Sequence, residues 1–175
     1  KLEENQLENI VGPVVEEAKN WGDIPVIAAG GVWDKNDIEQ MIGLGASAVQ
    51  MGTRFIGTHE CDAHENFKKI LLNAKKEDIV LMGSPVGYPA QGVVTNLTHL
   101  VEKREGPAIK CISNCVAPCN RGEEAKEVGF CIADRLSDAF LGNTETGLFF
   151  SGTNGYRLDK IISVQELMDK LTEDE

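Results

Sequence analysis

Several features that would assign a protein to a broad class are absent from this sequence of 175 residues. It contains no apolar run near the roughly 18 residues that a membrane span requires, and no charged segment followed by an apolar one, as in a signal peptide. Basic residues do not cluster beyond pairs such as Lys75 and Lys76, and 28 acidic against 17 basic residues give a net charge of −11. Binding to a phosphate backbone needs concentrated positive charge, so we expect no nucleic-acid partner. Because a long apolar run is absent, we expect no membrane partner either.

Complete pairing of the cysteines into disulfides is also excluded. There are five cysteines, an odd number, which favours a reducing compartment, so we expect a cytoplasmic location. The sequence begins at Lys1 without a methionine, which is typical of a processed or partial chain. The length fits one domain, or part of a larger one, because domains cluster at about 100 to 150 residues.

Two short apolar runs that each end in glycine dominate the first third of the sequence. Residues 25–29, PVIAA, have the composition of a strand buried on both faces, and Gly30 and Gly31 end this run. Residues 48–51, AVQM, form a second such run, which Gly52 ends. The segment between them predicts a helix capped by Asp34 and ended by Gly45. This order predicts a βαβ unit with parallel strands.

The two glycine corners would then lie at the carboxyl ends of neighbouring parallel strands, the edge where α/β folds bind ligands. Glycine lets backbone N–H groups approach an anion closely, so a phosphate between residues 30–31 and 52–53 is one interpretation. Tight turns without a ligand are the other. The Gly-x-Gly-x-x-Gly pattern of dinucleotide-binding folds is absent, which argues against that class.

The run PVIAAGGV, a helix of about eleven residues and the run GLGASAVQMGTRF resemble the nitronate monooxygenase (2-nitropropane dioxygenase) family, which includes flavin-dependent enoyl-ACP reductases. The resemblance extends through SPVGYPAQGVVTN, CISNCVAPC and GLFFSGTNGYRLDKIISVQELMDKL. It implies an FMN-dependent (β/α)8 TIM barrel of which these runs are the last two strands. The residues that it implies for FMN binding are Gly30, Gly31, Gln50, Met51, Gly52 and Thr53.

The resemblance also shows what this sequence does not contain. The first six barrel strands and the family's Gly-Gly-His segment, whose histidine is the proposed catalytic base, have no counterpart here. His59 and His64 lie in the polar context HECDAHE and His99 in an amphipathic helix, so we assign no catalytic residue. We therefore expect this chain alone to be inactive.

The resemblance further implies two regions, residues 1–60 with the phosphate site and residues 61–175, which we expect to be mostly helical. In the second region the sequence predicts helices over 63–76 and 131–141 and a final helix capped by Ser163. The Gly/Pro-rich loop 84–96 resembles the family's substrate-side segment, but Ala90 and Gln91 stand where relatives carry an arginine. Residues 152–154 are weaker candidates for cofactor contact.

Three cysteines, Cys111, Cys115 and Cys119, repeat every four residues. Metal binding is one interpretation, but zinc and iron–sulfur sites prefer other spacings, and Pro118 interrupts a continuous helix. We therefore predict no metal site and favour buried or redox-sensitive thiols.

Together these features predict an FMN-dependent oxidoreductase that acts on a small molecule, with NAD(P)H as a candidate electron donor. A flavin-dependent enoyl-ACP reductase is one alternative. A non-catalytic half-barrel that associates with a second copy or another chain is another, because the exposed edges of a partial sheet need covering. A phosphate-binding barrel without flavin is a third.

Overall fold

The computed structural model describes residues 6–86, 88–103, 105–106, 109, 111–112 and 129–172. The chain forms two compact units, one of Lys1–Glu60 with Ile162–Glu175 and one of Cys61–Ile161. The sequence had placed residues 162–175 in the second region, whereas in the structure they belong to the first unit. Among the described residues, no helix is both long enough and apolar enough to cross a bilayer.

The first unit contains the βαβ arrangement that the sequence predicts. Its elements are α1 (Leu7–Asn20), β1 (Ile27–Ala29), α2 (Lys35–Gly43), β2 (Ala48–Gln50), the single turn α3 (Thr53–Ile56) and α7 (Val164–Thr172). Strands β1 and β2 pair in parallel, with Ile27 opposite Ala48 and Ala29 opposite Gln50. The parallel pairing is therefore confirmed.

Both ends of α2 form as predicted. The Asp34 side chain accepts a hydrogen bond from the Asp37 backbone N–H at 3.1 Å, which caps the helix. At the other end, Gly45 adopts a φ of +98°, and its N–H and that of Ala46 donate to the carbonyls of Ile42 and Met41. This paired arrangement is a Schellman motif, which glycine favours because it lacks a Cβ.

The expectation that both strands are buried on two faces is wrong for this chain. Ala28 is 2% exposed and Ile27 is 61% exposed, and Ala29, Ala48 and Gln50 are exposed as well. Alternate residues of a strand point to opposite sides, so one face of this two-stranded sheet packs on the unit and the other is open. An apolar composition shows that a face suits burial, but it does not supply the element that covers it.

The core of the first unit lies between the helices and the packed face of the sheet. Its buried residues are Val11, Ala28, Val32, Met41 and Ala46. A second cluster, of Ile162, Leu167 and Leu171, packs against Ile38, Met51 and Phe55 and brings α7 into the unit. The predicted cap of α7 is confirmed, because Ser163 Oγ accepts from the Glu166 N–H at 3.0 Å.

The first helix begins earlier than the sequence predicts. Because proline favours the first turn of a helix, the sequence predicts that Gly12 and Pro13 open this one, but α1 starts at Leu7 and Pro13 lies inside it. A proline inside a helix removes one backbone hydrogen bond. Burial of Val11, at 3% exposure, favours the longer helix because it places an apolar side chain in the core.

The second unit combines helices with a short hairpin. It contains α4 (Glu65–Asn73), β3 (Ile79–Met82), β4 (Ala90–Val93), α5 (Asn96–Glu102) and α6 (Ile132–Phe140). Strands β3 and β4 are antiparallel, with Met82 opposite Ala90. The sequence assigned residues 84–96 to a loop, so β4 was missed, and the description "mostly helical" omits this hairpin.

The described core of the second unit centres on Leu97, Phe130 and Leu148. Phe149 is fully buried and contacts Phe67 edge-to-face, with ring centroids 4.9 Å apart. A Cβ at Gly92 would lie 2.6 Å from the Phe149 carbonyl oxygen, so glycine permits the close approach of β4 to this segment. Strand β4 therefore depends on a tertiary contact that its loop-like composition does not reveal.

Candidate functional site

The six residues predicted to bind FMN lie at one edge of the β1–β2 sheet. Gly30 and Gly31, here called the first corner, directly follow β1. Residues 50–53, the second corner, include the last residue of β2, two connecting residues and the first residue of α3. Because Ala29 is paired with Gln50 in a parallel ladder, both corners leave the sheet at the same carboxyl edge.

The backbone of the first corner explains why glycines stand there. Gly30 has a φ of +102° and Gly31 a φ of +74°, a region that residues with a Cβ rarely adopt. A Cβ added at Gly30, Gly31 or Gly52 would meet no heavy atom within 4 Å. The glycines are therefore set by backbone conformation at the first corner, and the space beside both corners is open.

The second corner offers different groups at each position. Gln50 is exposed, on the open face of the sheet. The Met51 side chain packs against both apolar clusters of the first unit, so only its backbone remains available to a ligand. Thr53 is half-buried at the first position of α3 and carries a hydroxyl that can donate to an anion.

Trp33 and Arg54 link the segments that follow the two corners. The Arg54 guanidinium carbon lies 4.7 Å from the centroid of the Trp33 ring, the geometry of a cation–π contact. Trp33 is 5% exposed, and its backbone N–H donates to Asp37 Oδ2 at 2.8 Å. The sequence analysis did not select Trp33, and its only indication was an aromatic residue directly after the Gly-Gly-Val run.

Each of the three histidines makes a contact within its own unit. His59 is exposed, and its N–H donates to the Ile162 carbonyl at 3.0 Å. His64 caps α4, with Nδ1 accepting from the Asn66 N–H at 3.0 Å, which fits the predicted helix start. His99 lies on α5 with its Nδ1 3.8 Å from a Glu102 carboxylate oxygen.

The weaker candidates all lie in the second unit. Gln91, one of the two residues that stand where relatives carry an arginine, donates a hydrogen bond from its side-chain amide to Thr153 Oγ1 at 3.2 Å. Gln91 is therefore engaged within its own unit. Tyr88 is 79% exposed. The second unit also has an open cleft of about 430 Å³ that none of the six predicted residues line; its polar lining includes Asn66, Lys69, Asn73, Asp78, Thr95 and Thr144.

The structure describes only part of the cysteine segment that was considered for metal binding. Cys111 is exposed, whereas Cys115 and Cys119 lie outside the described residues. Within the described part of the chain, no three His, Cys, Asp or Glu side chains group closely enough to hold a metal ion.

Comparison with known proteins places the chain in a family. The family model for nitronate monooxygenase matches residues 1–174. A probable nitronate monooxygenase from Staphylococcus haemolyticus (strain JCSC1435) is 29% identical over 176 residues, covering 97% of this chain and 44% of that protein. This chain thus spans less than half the length of that relative.

Two solved structures are similar as well. FabK from Thermotoga maritima superposes with a TM-score of 0.72 and 28% identity, covering 95% of this chain and 47% of that one. Nitroalkane oxidase from Streptomyces ansochromogenes has a TM-score of 0.65 at 24% identity, covering 94% and 42%, and this likeness concerns the fold alone. Since the family model matches nearly every residue, the family predicted from the sequence is confirmed, and this chain belongs to the nitronate monooxygenase family.

Proposed function

We propose that this chain is the phosphate-binding part of an FMN-dependent oxidoreductase with a TIM-barrel fold. The observation that carries the proposal is the pair of positive-φ glycines at the same strand edge as the open Gly52 corner. Family membership supports it independently. The activity proposed for the complete protein is the cytoplasmic transfer of electrons from a nitronate or similar small molecule, or from NAD(P)H, to an acceptor such as oxygen.

In this proposal the phosphate of FMN lies between the two corners. Backbone N–H groups of Gly30, Gly31 and Gly52 would donate to its oxygens, and the Thr53 hydroxyl would add a further donor. Such donors suit an anion because they are fixed by the backbone and need no rearrangement on binding. Gln50 and the Met51 backbone complete the contact. When bound, FMN supplies the redox chemistry of the reaction.

We assign no catalytic base within this chain. None of its histidines lies at the two corners, and the chain spans 44% of the Staphylococcus haemolyticus relative. A general base must lie within hydrogen-bond reach of the proton that it removes. We therefore propose that the base comes from the part of the barrel that this sequence does not include, and that the chain alone is inactive.

One alternative activity, which the family resemblance implies, is that of a flavin-dependent enoyl-ACP reductase. The same phosphate site would serve both enzymes, because the phosphate lies away from the reacting atoms of either substrate. Turnover of an alkyl nitronate with oxygen, compared with turnover of an enoyl thioester with NAD(P)H, distinguishes them.

The open face of the β1–β2 sheet favours association with further polypeptide. Ile27 is 61% exposed, and Ala29, Ala48 and Gln50 share its face. Burial of apolar surface is favourable at about 25 cal/mol per Å², so this face gains from being covered. We propose that the remaining barrel strands or a second copy of the chain cover it, which is also what a non-catalytic module would require.

The test is flavin retention. The chain alone, and the chain joined behind the N-terminal part of the Staphylococcus haemolyticus relative, are mixed with FMN and freed of unbound flavin. We expect visible flavin absorption with at least the joined form, and none with the N-terminal part alone. Absence of flavin from both forms that carry the two corners would overturn the proposed function.

A further inference from the structure

Trp33 and Arg54 each lie just after one of the two corners. Trp33 is two residues beyond Gly31, and Arg54 is two residues beyond Gly52. Their side chains meet with 4.7 Å between the guanidinium carbon and the ring centroid. The contact therefore joins two segments that are far apart in sequence and that each carry one corner.

Each partner is held in place by its own element. Trp33 is 5% exposed, and its N–H donates to the Asp37 carboxylate, which also accepts from the Asp34 N–H at 3.3 Å. Arg54 lies on α3 beside Phe55, which packs against the apolar cluster of α7. A stack between two anchored residues fixes the separation of the segments better than one between mobile side chains.

The positive charge of Arg54 bears on phosphate binding as well. The first corner is followed by two carboxylates, Asp34 and Asp37, which cap α2. A phosphate dianion is repelled by such groups, and the repulsion is strongest where water is excluded. The Arg54 guanidinium, held over the Trp33 ring, brings a positive charge to the same segment.

We propose that the Trp33–Arg54 stack positions the two corners around the phosphate and makes this chain select FMN over riboflavin, which lacks the phosphate. The proposal rests on the proposed function, since it assumes that FMN binds at these corners. Both residues are positioning residues. Their effect is expected on the binding of FMN and not on that of riboflavin. The stack links the two corners, which contact the phosphate, and the isoalloxazine ring is common to both flavins.

The test is the ratio of the dissociation constants for riboflavin and FMN, measured by flavin fluorescence titration of the form that retains flavin. Arg54→Met, which keeps an unbranched side chain but removes its charge, is expected to lower this ratio about tenfold. Arg54→Lys keeps the charge without the planar stacking group, and we expect a decrease of about threefold. Trp33→Phe keeps a ring of lower cation affinity and is expected to resemble Arg54→Lys.

Lys35→Met is the matched control, because Lys35 is a cation at the start of α2 whose ammonium lies 3.7 Å from Glu39. Its ratio is expected to change by at most about twofold at physiological salt, where charges not in contact are screened. A purely structural role for the stack would weaken both flavins equally and leave the ratio unchanged.

A second measurement does not depend on flavin. The protein has two tryptophans, and Trp21 is 73% exposed, so Trp21→Phe leaves Trp33 as the reporter. In this background Arg54→Met is expected to raise acrylamide quenching of Trp33 fluorescence at least about twofold, because the guanidinium no longer covers the ring.

The outcomes separate the two proposals. Flavin binding with an unchanged ratio in Arg54→Met would overturn the role of the stack and leave the FMN proposal intact, as would unchanged Trp33 quenching. Absence of binding of either flavin by every form would overturn both.

Discussion

At the scale of single residues, the three corner glycines differ in why they must be glycine. Gly30 and Gly31 have positive φ angles, whereas Gly52 has a φ of −113°, which other residues adopt. Beside all three, a Cβ would meet open space. The first corner thus depends on glycine for its backbone conformation, and Gly52 matters for the room that it leaves a ligand.

We predict that Gly30→Ala and Gly52→Ala separate these two effects. Gly30→Ala should lower the free energy of unfolding by about 1 to 2 kcal/mol because it forces an L residue to a positive φ. Gly52→Ala should change it by less than about 0.5 kcal/mol. Gly52→Ala should nevertheless weaken FMN binding about tenfold, because the added Cβ keeps the phosphate away from the backbone N–H. The cost is that of one hydrogen bond to a charged group. Urea unfolding and flavin titration measure the two quantities. Unchanged FMN affinity in Gly52→Ala would contradict close approach at this corner.

Single residues were predictable from sequence where their role is local. Asp34, Gly45 and Ser163 were identified as caps or ends because capping depends on a few neighbouring backbone groups. Trp33 was missed because its contact with Arg54 depends on the pairing of β1 with β2. Only the fold brings the Arg54 guanidinium over the Trp33 ring.

At the scale of elements, the end of α2 is joined to α1 through one tight contact. A Cβ at Gly45 would lie 2.8 Å from Val15 Cγ1, in addition to the strain at its φ of +98°. Both the Schellman motif and the packing of α1 therefore require glycine at this position.

We predict that Gly45→Ala destabilises the protein more than Gly30→Ala does, by about 2 to 4 kcal/mol, because steric overlap adds to the backbone strain. Combining it with Val15→Ala should recover part of the loss. Val15→Ala alone is the control, and thermal or urea unfolding gives the coupling between the two changes. Strictly additive effects would show that the overlap relaxes without cost.

The elements themselves were predictable to different degrees. Helices α2, α4, α6 and α7 and strands β1 and β2 follow from apolar periodicity and capping residues. Strand β4 was missed because its Gly-rich sequence becomes a strand through its pairing with β3 and the close approach at Gly92. The open side of the β1–β2 sheet was missed because a sequence does not state which elements cover a face.

At the scale of the whole molecule, the open sheet face is the feature that affects behaviour in solution. Ile27, Ala29, Ala48 and Gln50 present it to solvent. An apolar face bordered by strand edges favours association with further strands or with another copy.

We predict that the chain alone elutes in gel filtration as a dimer or larger species, and that Ile27→Lys shifts it to the monomer. The charge is placed on the open face, and the exposure of Ile27, 61%, keeps the cost to stability small. Ile42→Lys is the matched control, since Ile42 is 46% exposed on α2, away from that face. A wild-type chain that is monomeric at every concentration would contradict the prediction.

The most direct test of the central claim, that the two corners bind the phosphate of FMN, is a residue-resolved NMR titration of backbone amides. FMN is added to one sample of the flavin-retaining form and riboflavin to another. We predict that the amides of Gly30, Gly31, Gly52 and Thr53 shift with FMN and shift little with riboflavin. Equal shifts with both flavins, or FMN shifts confined to other residues, would contradict the phosphate site.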